Sequence, residues 1–222
     1  MDAFLNTFFN FEIMAQALPL LLKGAFMTLK LCSVVILCGL IGGLGLALAA
    51  LSPNKLLKWV SVVWIDFFRA FPPLVLLVFV YSGLPFAGIK MSPFMAVVVA
   101  FFLNNSAYFA EVFRAGIKSI PRGQSEAARA TGLSTAQAMF HVILPQAVRN
   151  VLPDLLSNTV EVVKLTSLAS VVSLSELLYS ANMARSVTYN ASPLVLAAGL
   201  YLLVLWPLVR VTSRYQRGLA VN

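Results

Sequence analysis

Five long apolar stretches, separated by polar segments, set the pattern of the chain. They run from Leu29 to Leu51, Phe71 to about Ala87, Pro93 to Phe113, Val151 to about Val172 and Leu194 to Val211. Each is near the ~20 residues a helix needs to cross ~30 Å of hydrocarbon. The pattern predicts an all-α, polytopic membrane helical bundle of about five transmembrane helices. Between the first two stretches, Pro53 to Arg69 is too charged to cross and predicts an amphipathic helix along the cytoplasmic surface. Residues 1–28 have no basic leader region or convincing small-residue cleavage site, so no removable signal peptide is expected. Phe4, Phe8, Phe9 and Phe11 predict instead a periplasmic or interfacial segment, the alternative being an unordered tail with some lipid affinity. The expected organisation is 1–28 as this segment, 29–213 as the membrane domain with a cytoplasmic loop at 114–149, and 214–222 as a tail.

Inside that loop lies a polar island, GQSEAARATGLSTAQAMFHVILP, from Gly123 to Pro145. Ser125 can cap a short helix from Glu126 to Thr131, and Gly132 suits a helix C-terminus. Ser134 and Gln137 make the Ser-x-x-Gln pattern that opens a second helix. Pro145, unable to donate a backbone hydrogen bond, is expected to close the unit. Ala127, Ala128 and Ala130 let the first helix approach another protein closely, so the island is a docking element or a plain connector. In the first apolar stretch, Gly39-x3-Gly43 and Gly45-x3-Ala49 are small-residue pairs that favour close helix contact, within this chain or with another.

Composition agrees with the membrane reading: 222 residues, 60% hydrophobic, 11% charged, mean hydropathy +0.89. A net charge of +8 would suggest nucleic acid in a soluble protein, but here the basic residues flank apolar stretches, and no nucleic-acid partner is expected. An outside N-terminus places eleven basic residues inside (Lys55, Lys58, Arg69, Arg114, Lys118, Arg122, Arg129, Arg149, Arg210, Arg214 and Arg217). Four lie outside (Lys23, Lys30, Lys90 and Arg185), and Lys164 completes the sixteen. Positive-inside asymmetry therefore predicts the N-terminus outside, the C-terminus inside and the Glu126 loop in the cytoplasm. Cys32 and Cys38 lie about 9 Å apart along one predicted helix, too far to pair. His141 is the single histidine, so no His/Cys metal cluster is expected. No Gly-x4-Gly-Lys-Ser/Thr loop occurs, so ATP, if used, is bound with its Mg by another chain.

The fourth stretch carries unusual chemistry. At 100° per residue, Asp154, Ser157, Asn158, Glu161 and Lys164 fall within an arc of ~120° on one helix face. An ionisable group at mid-depth costs about 2.5–3.5 kcal/mol if it faces lipid, so this stripe faces a wet cavity or a partner. Either it lines a solute path, with the carboxylate for an ammonium and the lysine for a carboxylate, or Glu161 and Lys164 satisfy each other. In the third stretch Asn104 and Tyr108 share a face, with Glu111 a turn further on and Asn105 beside them. Paired amides can hold a zwitterion or bind helices together. Glu111 and Arg114 form a structural ion pair at the membrane edge. Thr166 and Ser167 either face the path or bond back to their own helix carbonyls.

Glu126-Ala127-Ala128, Gly132 and Val142-Ile143-Leu144-Pro145, at this spacing, resemble the signature loop of membrane subunits of bacterial ABC importers, with Val142 where isoleucine is usual. FFRAFPPLV upstream, YFAEVFRAGIKSIPRGQ before the loop, and LPQAVRNVLP and KLTSL after it are similar to the polar amino-acid uptake permeases, of the histidine, glutamine and arginine kind. The resemblance runs from about Leu29 to the end of the chain. It implies a type I importer fold in the bacterial cytoplasmic (inner) membrane and a permease subunit that pairs with a copy of itself or a paralogue. It further implies two ATP-binding subunits that carry ATP and Mg, and a periplasmic or surface-tethered solute-binding protein that delivers an amino acid. The coupling residues so implied are Glu126, Ala127, Ala128, Gly132, Leu144 and Pro145; Asn104, Asn105, Tyr108, Asn158, Glu161, Lys164 and Thr166 are the candidates for contact with the solute. Leu165 stands where the family often has a polar residue before the threonine, and Glu161 where it is commonly apolar. Two rival classes are an ion-gradient-driven secondary transporter, which would usually show internal repeats, and a non-transporting scaffold, which would not need Glu161 and Lys164 at mid-depth.

Overall fold

A computed structural model describes residues 1–219. Ten α-helices follow one another: α1 Asp2–Phe8, α2 Phe11–Ala50, α3 Lys55–Ala70, α4 Pro73–Val78, α5 Pro93–Ser119, α6 Arg122–Ala130, α7 Thr135–Ala138, α8 Leu144–Leu165, α9 Leu177–Thr188 and α10 Ser192–Leu219. No strand occurs among the described residues. Of the tail expected at 214–222, residues up to Leu219 continue α10, and 220–222 lie outside the described residues. Four helical segments are long and apolar enough to span a membrane, or five if the bent pair Lys55–Ala70 and Pro73–Ala87 is one span.

Helix α2 begins at Phe11, where the Asn10 Oδ1 accepts from Ile13 N (3.1 Å) and caps the first turn. Its 40 residues extend about 60 Å, twice the hydrocarbon thickness, so the boundary expected at residue 28 falls inside a continuous helix. The apolar count marked where lipid-compatible composition begins; the helix itself starts at its cap.

Prolines shape the other long elements. Before Pro85, residues Phe79–Gly83 widen into a π-turn in which Leu84 N reaches Phe79 O. Before Pro145, Met139–Ile143 do the same, with Leu144 N reaching Met139 O. The π-turn absorbs the missing donor, so Pro145 does not close the helical unit as expected but sits in the first turn of α8. Past Leu165 the chain tightens into a 3-10 turn from Thr166 to Val172, where the expected fourth stretch ends.

The chain forms two compact units. One comprises Met1–Ile36, Pro72–Phe101 and Val160–Val211. Its core gathers Ala17, Leu21, Leu177, Ala181, Ala184 and Ala197 from α2, α9 and α10. Gly24 makes this possible: a Cβ there would lie 2.5 Å from Ser180 Oγ and 2.8 Å from Glu176 O. The other unit comprises Leu37–Phe71, Phe102–Thr159 and the segment from Thr212. Here Gly39, Gly42 and Gly43 lie against α5, and a Cβ on Gly43 would sit 2.6 Å from Phe109 Cβ and 3.0 Å from Ala110 N. The first small-residue pair thus packs within this chain, whereas a Cβ on Gly45 would meet nothing within 4 Å. Ile117, Ile143 and Ala147 fill the space beyond, flanked by Leu48, Leu51 and Met139.

Candidate functional site: polar spans and cytoplasmic foot

Helix α3 stops at Ala70 because Phe71 and Pro72 are both extended, which orphans its last carbonyls. Side chains of α5 satisfy them. Asn104 Nδ2 donates to Phe68 O (2.8 Å) and Phe71 O (3.3 Å), and the Tyr108 hydroxyl donates to Arg69 O (3.2 Å). Glu111 lies 4.0 Å from the Arg69 guanidinium and also takes both ends of Arg114, with Arg114 Nε at 2.8 Å. Arg69 is further held over the Tyr108 ring at 5.6 Å. Since Asn104 lies well inside α5, the end of α3 meets that span in its interior. The charge at the end of Pro53–Arg69 is matched there by Glu111, and the Arg69 guanidinium lies over the Tyr108 ring. Of the two readings of the paired amides, helix binding is the one Asn104 Nδ2 adopts. Its Oδ1 and the Nδ2 of Asn158 are buried without a hydrogen-bond partner. Asn105 is buried beside Asn104.

Further along α8, Glu161 and Lys164 form an ion pair at 2.6 Å, with side chains 60% and 50% exposed. They satisfy each other and still present both charges outward. Thr166 is 0% exposed and donates to Val163 O at 2.6 Å, and Ser167 donates to Lys164 O at 2.8 Å. Both hydroxyls thus bond back to their own helix.

Glu176, which sequence reasoning missed, is 0% exposed at the N-cap of α9. Its carboxylate accepts from Leu178 N (2.9 Å), Tyr179 N (2.7 Å) and the Tyr201 hydroxyl (2.9 Å). Next to it, Leu177 N donates to Thr28 Oγ1 at 3.1 Å. Glu176 lies between the spans that end at Val172 and begin at Ser192; burial pushes its carboxyl above the usual range, opposed by these donors. Ser175-Glu176 ahead of Leu177-Leu178 is the local signal for such a cap.

Between α5 and α8, the polar island folds as a helical foot. Gly132 is left-handed at φ 92, with Gly132 N bonded to Arg129 O (3.0 Å) and Leu133 N to Ala128 O (3.3 Å), which caps α6 as expected. Ser134 and Gln137 form the reciprocal capping box that opens α7. Ser125, expected to cap the first helix, lies inside α6, because Pro121 is pre-set for the turn and Gln124 N already bonds to Pro121 O at 3.0 Å. Glu126 and Ala127 are exposed, Ala128 is buried, Leu144 is half-buried and Pro145 is exposed.

Residues 39–217 match the family described as binding-protein-dependent transport system inner membrane component. The probable amino-acid ABC transporter permease protein YckA of Bacillus subtilis (strain 168) is 34% identical over 208 residues, covering 94% of this chain and 91% of its own. The arginine transport system permease protein ArtQ of the same organism is 33% identical over 215 residues, covering 96% and 98%. A solved structure described as "Crystal structure of an amino acid ABC transporter with histidines" superposes with a TM-score of 0.85 at 36% identity, over 94% of this chain and 98% of that one. The inward-facing MetNI methionine ABC transporter shares the fold, with a TM-score of 0.75 at 22% identity over 90% and 96%. The family match takes in the glycine contacts of α2, the α3 end, the foot and the α8 stripe, and the chain belongs to the binding-protein-dependent transport system inner membrane components.

Proposed function

We propose that the chain is the permease subunit of an ATP-driven amino-acid importer in the bacterial cytoplasmic membrane. One observation carries the reading: an ion pair, Glu161 with Lys164, is kept about half exposed on a helix long and apolar enough to span the membrane. A carboxylate and an ammonium presented together are complementary to the two charges of an amino-acid zwitterion, and a group held in place only by the other is free to exchange partners. Relatives named for amino-acid and arginine transport support the substrate class. Asn104, Asn105 and Tyr108 act on the path through the α3 end that Asn104 and Tyr108 hold.

The excess of basic residues on one side of the spans supports an outside N-terminus and a cytoplasmic foot. There α6 and α7 dock on a separate ATP-binding subunit that carries ATP and Mg, with Glu126 reaching a basic residue of that partner and exposed Ala127 allowing close approach. Contact that differs between two states of the ATPase biases inward- against outward-facing forms. A second permease subunit, identical or paralogous, completes the path, and a binding protein delivers the solute. Uptake into vesicles tests the proposal: it requires internal ATP and survives a protonophore. Uptake abolished by the protonophore and indifferent to ATP sinks it in favour of an ion-gradient carrier.

A further inference from the structure

Of the four long apolar segments, α10 buries the smallest share of itself inside the chain. At 100° per residue, Gly199, Leu203, Trp206 and Arg210 fall within an arc of ~60° on it. Ala197 and Tyr201 lie roughly opposite, Ala197 in the core with residues of α2 and α9 and Tyr201 bonded to the Glu176 carboxylate. The arc is therefore turned outward. Leu203 is 70% exposed and Trp206 63%, Arg210 is exposed, and a Cβ on Gly199 would meet nothing within 4 Å.

Chemistry along this face is ordered by depth. Gly199 to Arg210 is about 16 Å of helix, close to the ~15 Å of one hydrocarbon leaflet. Gly199 and Leu203 make an apolar strip with a notch at the glycine. Trp206 follows, the residue type that collects at the level of lipid headgroups. Arg210 comes at the end of the apolar stretch, and its guanidinium lies over the Trp206 ring at 5.8 Å, which holds it on the same face. No Asp or Glu occurs in α10, and no carboxylate of the described residues lies within salt-bridge distance of Arg210. Arg214 and Arg217 follow in the sequence and add to the positive charge at this end. The face thus offers an uncompensated guanidinium, whose fork matches phosphate oxygens, one leaflet's depth from an apolar notch. Two copies of the chain meeting through this face would bring guanidinium to guanidinium, since α10 has no acid to receive either.

We propose that this face of α10 holds one anionic phospholipid, its phosphate on Arg210, its glycerol beside Trp206 and an acyl chain along Leu203 towards the notch at Gly199. The inference rests on the importer reading only for the orientation, which assigns the site to the cytoplasmic leaflet. The test uses the whole complex in vesicles of phosphatidylcholine, with Trp59→Phe and Trp64→Phe so that Trp206 is the one tryptophan left in this chain. Its fluorescence is read as the difference from the same complex carrying Trp206→Phe. Brominated phosphatidylglycerol is expected to quench Trp206 at least about threefold more than brominated phosphatidylcholine at equal mole fraction. Arg210→Gln abolishes that preference, and Arg214→Gln, further along α10, lowers it by less than half. Equal quenching by the two lipids overturns the inference. So does an absence of quenching by either, the mark of a partner chain on this face, and so does a loss in Arg214→Gln as large as in Arg210→Gln, the mark of general surface charge. Native mass spectra check the result without the tryptophan changes: the wild-type complex retains phosphatidylglycerol over phosphatidylcholine, Arg210→Gln does not, and equal retention by the two proteins rejects the site. A lipid preference found together with a C-terminus labelled from outside the cell supports the site and overturns the orientation in the importer reading.

Discussion

Asn104 Nδ2 donates to the carbonyl of Phe68 at 2.8 Å, so a side chain of α5 finishes the last turn of α3. The same nitrogen reaches Phe71 O, where the backbone has already left the helix. Asn104→Leu fills a similar volume but strands two carbonyls in a buried setting, at a cost of about 1–3 kcal/mol. Tyr108→Phe removes a hydrogen bond from a half-exposed group, where water replaces it, and costs less. Melting of the purified complex in detergent should rank them in that order; equal melting of Asn104→Leu and wild type would show that the contact does not secure α3.

Glu111 compensates two guanidiniums at once, Arg69 from α3 and Arg114 from its own helix. Glu111→Gln leaves both without a counter-charge inside a span. With roughly a third of each side chain exposed, the loss is about 1–2 kcal/mol, below the figure for a fully buried pair. Adding Arg69→Met to Glu111→Gln removes one of the uncompensated charges and recovers part of that loss. A double variant that melts below the single one rejects the pairing.

The two small-residue pairs of α2 separate by experiment. Gly43→Ala drives a Cβ against Phe109 Cβ and the backbone at Ala110, neither of which can swing away, so α2 and α5 must part. A loss of about 1–3 kcal/mol is expected from such overpacking. Gly45→Ala meets open space and gains helix propensity, so it is neutral or slightly stabilising. If both variants assemble and melt alike, the close contact at Gly43 does not limit stability.

What was legible in the sequence was what short-range rules decide. Gly132 and the Ser134/Gln137 box were readable because a left-handed cap and a capping box are set within a few residues. The polar face of α8 was readable because helical period alone places Glu161 and Lys164 together. Pro145 was misread because a π-turn can hide a missing donor, and Ser125 because Pro121 had already started the helix. The partner of Arg69 was not readable, because nothing local announces that Glu111, on another helix, will meet it. Glu176 had a local cap signal, but its burial was not readable: its partner Tyr201 lies on α10, and only folding brings phenol and carboxylate together.

Gly132 is also where the foot can be broken without touching a span. At φ 92 its conformation excludes proline, whose ring fixes φ near −65°. Gly132→Pro is therefore expected to change the angle between α6 and α7, and Glu126→Lys to reverse the exposed charge, while both insert normally. Each should leave ATP hydrolysis running and uptake reduced at least tenfold. Coupled transport at the wild-type rate in either variant counts against the foot as the point of contact.

Glu161→Gln separates a solute-binding pair from a structural one. With both side chains about half exposed, the Glu161–Lys164 pair contributes under about 1 kcal/mol to stability, so a purely structural role predicts a variant close to wild type in every respect. If the pair meets the solute, the carboxylate faces its ammonium, and loss of the charge raises the half-saturating solute concentration while melting and assembly stay unchanged. Lys164→Met should do the same through the solute carboxylate. Because Glu161 and Lys164 also restrain each other, the double variant should show less than the sum of the two effects. Solute-dependent ATPase stimulation across a panel of acidic, neutral and basic amino acids checks this, since Glu161→Gln should weaken basic solutes most. A uniform response across the panel, with unchanged half-saturation, assigns the pair to the helix alone.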